Sequence, residues 1–512
     1  DEHEWEDDDA LYYDAMAVEE HDISIPEASK HRWLRPAAPA RDPKAQPLTL
    51  QQMHTDYHVQ APRPDMPAFA ASLGYTYETY GGQVPMLRLY GVTEEGHSCL
   101  VHVHGYEPYF FVEAPEGMSE DKCRGMAEAL NRVMAQKVDS GKKTADGRYI
   151  RYCEMEYKQS IYNYREQGVK KFIKIVTVWP QHVPAARSIF AEGFSIPDVG
   201  FQGTMMTYES NIVFVMRYMV DAKIVGANWV TLPAGKYLAR DSLSTTCQIE
   251  ADIMWQDLVS HEPEGEWSKV GPLRILSFDI ECQGRKGQFP QAEEDPVIQI
   301  ANWVTVQGSD APCVKNIFTL KSCAPISGAE VHAFEKETEM LQAWRDFVVA
   351  CDPDIITGYN IVGFDIPYLV DRARALKVDA FAHLGRIRGQ RCRVKKTTFS
   401  SAQTGVRESN EITMDGRVIF DVFQAIQRDY KLHSYSLNAV CAKYLGEQKE
   451  VRCICVYALS ASTRRRKCDV SVMYSCIAIG RSVFFMCQPI CLSVMYVCMY
   501  VCVCVCVCVC VC

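Results

Sequence analysis

The chain has 512 residues, 48% of them hydrophobic, and a formal net charge of −10. That length and apolar content predict two to four domains with true cores and exclude a chain disordered throughout. The charge excludes a uniformly basic nucleic-acid binder, yet the excess is local: residues 1–22 hold eleven Asp or Glu and no Lys or Arg, leaving 54 basic against 53 acidic side chains elsewhere.

Taken in chain order, residues 1–65 read as a disordered tail, acidic at first and then rich in Pro and Ala (RPAAPARDPKAQP, APRPDMP). No signal-peptide pattern opens it, and the first residue is Asp, so the sequence reads as a piece at this end. Residues 66–265 read as a mixed α/β domain. Val84 to Val112 alternates like paired strands around a turn at Thr93-Glu94-Glu95-Gly96; Phe172 to Trp179 and Asn211 to Met219 read as further strands. His102 and His104 share a strand face, but without a third ligand nearby they read as ordinary strand residues.

Residues 266–450 form a second unit. Successive strands at 273–282, 296–306 and 313–321 predict an antiparallel meander. Met340, Leu341, Trp344, Phe347 and Val348 then fall at helical spacing, 354–358 is a short strand, and Asp365-Ile366-Pro367 opens a helix reaching about Lys377. Three strands, a helix, a strand and a helix suit a ribonuclease-H-like α/β layer. The cysteines before residue 450 stand singly, which fits a reducing compartment, whereas thirteen of the 23 crowd behind it.

Asp279 and Glu281 lie two apart in an apolar strand (LRILSFDIEC), so both carboxylates leave one face about 7 Å apart. Burying two acids side by side is costly unless cations hold them. A divalent-metal site is the functional reading; a solvated strand edge is the plain one. Asp365, two residues before Pro367, suits a helix cap, and one oxygen can cap while the other meets a metal. RIRGQRCRVKK (386–396) holds six basic side chains and no acid. Arg391, Arg393 and Lys395 alternate there, either as one strand face that contacts phosphates or as a charged edge that deters pairing.

FDIECQGRKGQFP, DPVIQIA and GYNIVGFDIPYLVDRA resemble, in order, the first two exonuclease motifs of the family-B DNA polymerases. The Gly-Arg-Lys-Gly-x-Phe-Pro insert resembles the family's delta branch, as do YESNIVFVMRYMVDAKIVGANWVTLPAGKY (208–237) and YKLHSYSLNAVCAKYLGEQKE (430–450). The similarity runs from about residue 30 to 450. It implies a multidomain α/β chain, with an N-terminal domain over 66–265 and a ribonuclease-H-like 3′–5′ exonuclease domain over 266–450. By the resemblance, Asp279, Glu281 and Asp365 match ligands of two Mg²⁺ ions, with Mn²⁺ as a substitute, that hydrolyse a phosphodiester. Asn360 and Phe364 match residues lining the pocket for a primer 3′ end, and 397–417 resembles a hairpin that helps part primer from template. The family further implies single-stranded DNA as substrate, accessory subunits and a sliding clamp as partners, a nuclear location and no membrane.

Beyond Glu450 the resemblance stops. The family's Tyr-x-x-x-Asp motif, with the last metal carboxylate, and its polymerase aspartates do not follow, so the sequence predicts no polymerase centre and an impaired exonuclease. The closing MYVCMYVCVCVCVCVCVC is what a GT repeat encodes in any frame, and Val codons begin with GT as introns do; residues 451–512 therefore read as translated intron. A membrane span there is broken by Gln488 and Pro489, and a soft-metal cysteine tail lacks any residue to shape a site. The rival function is a catalytically inactive isoform that binds nucleic acid or titrates partners.

Overall fold

The computed structural model describes residues 25–138, 144–159, 168–196, 201–309, 311–323, 325–401 and 405–446. The acidic run 1–22, the end of GEQKE and the Val-Cys tail lie outside the described residues, as do the expectations attached to them.

The chain enters through α1 (Glu27–Trp33), β1 (Leu48–Gln60), α2 (Met66–Ser72), β2 (Val84–Thr93) and β3 (Ser98–His104). It then forms β4 (Tyr109–Glu113), α3 (Glu120–Lys137), β5 (Ile150–Lys158), β6 (Lys170–Thr177), α4 (His182–Glu192), β7 (Phe194–Ile196), β8 (Phe201–Gly203) and β9 (Thr207–Tyr208). After α5 (Phe214–Asp221) come β10 (Trp229–Leu232), β11 (Tyr237–Ala239), β12 (Ile249–Met254) and β13 (Val259–Ser260). β2 and β3 pair antiparallel, as their alternation predicts. They sit inside a seven-stranded sheet, β11-β12-β3-β2-β1-β10-β13, while β5-β6-β4-β9 makes a separate four-stranded sheet packed on α3 and α4.

Two expectations fail here. Residues 25–65 are not tail: β1 sits between β2 and β10 inside the larger sheet, and Ile25 and Trp33 plug the core of the second unit. Average composition hides these few anchors among the prolines. Asn211 to Met219 is not a strand, because α5 occupies it and buries Phe214, Arg217 and Tyr218 at helical spacing. Val213, Met216 and Val220 on its outward side are also apolar and exposed, so no polar face marks the helical period.

The second unit begins with β14 (Arg274–Cys282), β15 (Val297–Val306) and β16 (Val314–Leu320), the antiparallel meander expected. β17 (Glu330–Phe334), α6 (Glu337–Cys351), β18 (Ile355–Gly358) and α7 (Asp365–Ala375) follow. The hairpin β19 (Arg393–Ser401) and β20 (Gly405–Thr413), then β21 (Val418–Asp421), α8 (Val422–Asp429) and α9 (Leu437–Tyr444) complete it. The sheet order is β17-β16-β15-β14-β18-β21, with β18 parallel to both β14 and β21. Such parallel pairs require crossovers, and α6 supplies the one between β17 and β18. Leu276, Phe278 and Ile280 of β14 meet Trp344 and Phe347 of α6 and Ile366 and Leu369 of α7 in one core, which gives the ribonuclease-H-like layering. Among the described residues no helix is long and apolar enough to cross a membrane.

A buried ion cluster joins the incoming chain to this layer. Arg35 pairs with Asp354 at 2.7 Å and with Asp352 at 3.2 Å, Arg386 bridges Asp352 at 2.8 Å and Asp354 at 2.7 Å, and Arg417 meets Asp352 at 2.9 Å. These guanidinium groups hold both carboxyls below their ordinary range against a burial that works the other way.

Candidate active site

β14 alternates. Leu276, Phe278 and Ile280 face the core under α6 and α7, so Asp279 and Glu281 leave from the opposite face, both half-buried. β18 runs beside β14 only as far as Thr357, opposite Ser277. Beyond that point the N–H of Ile280 on β14 is taken by a carboxylate: Asp365 accepts it at 3.2 Å. Asp365 is 2% exposed and its side chain also bonds to that of Asp279. Two carboxyls from distant elements thus lie against each other.

Burial is the main cause that raises the Asp365 carboxyl above the ordinary carboxylate range; the nearby charge of Asp421 adds to it, and bonds to Ile280 and Asp279 oppose it. The helix-cap expectation for Asp365 is not met. The N-cap of α7 is Phe364, with no side-chain cap, and the Asp365 carboxylate turns to β14 instead.

The loop that delivers Asp365 is held to tight tolerances. Asn360 has φ +66°, in the left-handed region that Asn tolerates. A Cβ on Gly363 would come within 2.3 Å of the Asn360 side-chain oxygen, and one on Gly358 within 2.7 Å of the Phe278 carbonyl oxygen. Asp421, at the end of β21, accepts from the backbone N–H of Asn360 at 2.8 Å, of Val362 at 3.0 Å and of Phe423 at 2.9 Å. It caps α8 and ties down the loop together. The sequence reading missed it. An acid ending a strand just before a helix was the available signal, but that pattern reads first as an N-cap.

Phe364 packs tilted on Tyr368 with centroids 5.2 Å apart, and Phe289, 73% exposed, stands edge-to-face on it at 5.3 Å. Asn360 and Phe364 are half-buried beside the acids.

The basic strip divides. Arg386 is wholly buried in the ion cluster, so it is no surface contact. Arg391 precedes β19 rather than lying on its face; Arg393 and Lys395 are on that strand, and all three are exposed. Glu411 stands opposite Lys395 in the hairpin. Asn410 donates to the carbonyl of Val362 at 3.0 Å, which fastens the hairpin to the Asp365 loop. The Thr404-Gly405 turn expected at its tip includes a residue outside the described ones.

His102 and His104 are strand residues, as expected, but buried and engaged. His104 Nε2 lies 2.9 Å from Asp252 and its Nδ1 2.7 Å from the Tyr77 hydroxyl, and His102 lies 3.5 Å from Glu250. Among the described residues no three His, Cys, Asp or Glu side chains gather as a ready-made metal cage, at these histidines or at Asp279. The donor set at Asp279 and Asp365 nonetheless fits a hard cation: two carboxyls in contact, one of them buried and driven toward its neutral form, are what a divalent ion relieves.

Comparison with known proteins agrees with this layout. Residues 205–440 match the family model for the exonuclease domain of DNA polymerase family B, and residues 105–184 match that for the DNA polymerase delta catalytic subunit-like N-terminal domain. The DNA polymerase delta catalytic subunit of Oryza sativa subsp. japonica is 48% identical over 421 residues, 82% of this chain and 37% of the relative. That of Bos taurus is 44% identical over 426 residues, 83% of this chain and 38% of the relative. The chain therefore spans about two-fifths of the length of these curated relatives. A family B DNA polymerase structure from Pyrobaculum calidifontis shares the fold with TM-score 0.51 and 21% identity, covering 78% of this chain and 40% of that one.

Proposed function

Because the chain belongs to the family-B DNA polymerases, on the branch of the delta catalytic subunits, we propose that its second unit removes nucleotides from the 3′ end of single-stranded or mispaired primer DNA, as the proofreading exonuclease of a replicative polymerase. The observation that carries this reading is the contact between the Asp365 and Asp279 carboxyls beside Glu281. Asp279, Glu281 and Asp365 would hold two divalent cations. Bound there, Mg²⁺, or Mn²⁺ in its place, supplies an acidified water and neutralises charge on the scissile phosphate.

The chain's own groups do the rest. The loop tied by Asp421 sets Asp365 against β14. Phe364, with Phe289 on its edge, offers an aromatic wall for the terminal base, and Asn360 lies at the turn of that wall. Arg391, Arg393 and Lys395 steer the strand's phosphates toward it. In this reading the enzyme works in the nucleus with accessory subunits and a sliding clamp.

The test is Mg²⁺-dependent shortening of an end-labelled primer bearing a 3′ mismatch. Asp279→Ala should slow shortening at least about 100-fold while leaving DNA binding in place. Shortening by the Asp279→Ala variant at the parent rate would end the proposal. Binding without shortening by the parent chain would favour the second reading, a non-cutting nucleic-acid binder that uses the exposed Arg391, Arg393 and Lys395.

A further inference from the structure

Ile300 and Val304 of β15 face the core, so the opposite row of that strand is Gln299, Ala301 and Trp303. In the ladder Glu281 stands opposite Gln299 and Asp279 opposite Ala301. Directly opposed side chains on one face have Cβ atoms about 5 Å apart. The row through Asp279 is therefore continued by a methyl group, which leaves room above that carboxylate. The row through Glu281 is continued by a carboxamide.

That carboxamide is an anomaly. Gln299 is 3% exposed, and neither its Oε1 nor its Nε2 has a hydrogen-bond partner among the described residues. Thr319, its neighbour on the other side, gives its hydroxyl to the Lys321 carbonyl at 3.0 Å. A buried amide left unpaired is destabilising, and an apolar side chain of equal size would serve packing better. The charged group beside it in the ladder is the Glu281 carboxylate.

We propose that Gln299 is a positioning residue of the nuclease centre: its buried, unpartnered N–H donors stand ready to take the Glu281 carboxylate when a divalent cation binds, and to keep it turned to the ion. This rests on the reading of the centre given above. A carboxylate fixed by an amide keeps one oxygen turned to the ion, whereas a freely turning one spreads over several rotamers.

The experiment measures Mn²⁺ binding to the full chain by the electron-spin signal of the free ion, for the parent, Gln299→Leu, Gln299→Met, Glu281→Ala and Asp279→Ala. Either Gln299 variant should bind Mn²⁺ about 10-fold more weakly or worse, with a metal-free melting temperature equal to or above the parent's. Adding Gln299→Leu to Glu281→Ala should bring no further loss, because the amide acts through the carboxylate. Parent-like Mn²⁺ affinity in whichever Gln299 variant folds, alongside weakened binding in Glu281→Ala, would overturn the assignment and leave the centre intact. If Asp279→Ala and Glu281→Ala both bind as the parent does, the centre itself has been misread and Gln299 falls with it.

Discussion

Gly358 and Gly363, five residues apart, guard the same loop for different reasons, and substitution separates them. At Gly363 the obstacle to a Cβ is the far end of the Asn360 side chain, which can swing aside. Gly363→Ala should therefore keep the fold, with melting temperature nearly unchanged, while displacing Asn360 and slowing 3′ shortening about 10-fold or more. At Gly358 the obstacles are the Phe278 carbonyl oxygen and the Ile361 side chain, both held in the core. Gly358→Ala should cost about 1–3 kcal/mol in denaturant unfolding, and activity should fall with stability. Matching losses of stability in the two variants would contradict this division. At this scale the shared face of Asp279 and Glu281 was legible from period-two alternation, but not that the Asp365 carboxyl would lie against Asp279. Asp421 was not, because one carboxylate performs a cap and a tether, and only the cap has a local signature.

The elements tell apart in the same way. α6 was legible because it buries one face and so keeps its period, and the meander because its strands are short apolar runs, buried on both faces and separated by turn-forming residues. α5 lost its period through exposed apolar residues on the far side, and β1 was hidden because its neighbours in the sheet are remote in sequence. The hairpin β19–β20 was legible as a hairpin; the fate of its basic residues was not, since nothing local says that Arg386 finds Asp352 and Asp354. Arg393 and Lys395, which remain exposed on β19, each should account for one phosphate contact. Replacing both by Ala should reduce the magnitude of the slope of log affinity against log salt for single-stranded DNA by about 1.4. Binding isotherms between about 50 and 200 mM salt measure it. An unchanged slope would place the DNA elsewhere.

At the scale of the molecule, part of the acid sensitivity should come from the seven-stranded sheet, alongside the buried ion cluster. Burial, reinforced by the charge of Arg88, holds the His58 imidazole down from its ordinary 6.5 to about 3, and burial lowers His102 as well. Burial works to raise Glu250, but hydrogen bonds involving His102, Thr245 and Ser244 outweigh it and bring the carboxyl from 4.5 down to about 2. All three groups bind protons more readily when unfolded, so their stabilisation is complete above about pH 6.5 and is lost as pH falls, through the histidines first and Glu250 below about 4.5. Melting temperature should be flat from pH 7 to 8 and decline steadily under 6.5; His58→Leu should remove part of the decline between about 6.5 and 4.5. A melting temperature that rises on acidification would refute it.

Trp33 meets Phe347 at 5.0 Å and His332 at 5.7 Å, deep in the ribonuclease-H-like layer, and two residues later Arg35 enters the ion cluster. Between there and Asp65 the chain also supplies an interior strand to the other sheet. An expression boundary drawn at the first conspicuously globular stretch would thus take a plug from one layer and a slat from the other, exposing sticky edges on both. Soluble protein demands that the Pro- and Ala-rich leader be kept from Ile25 onward.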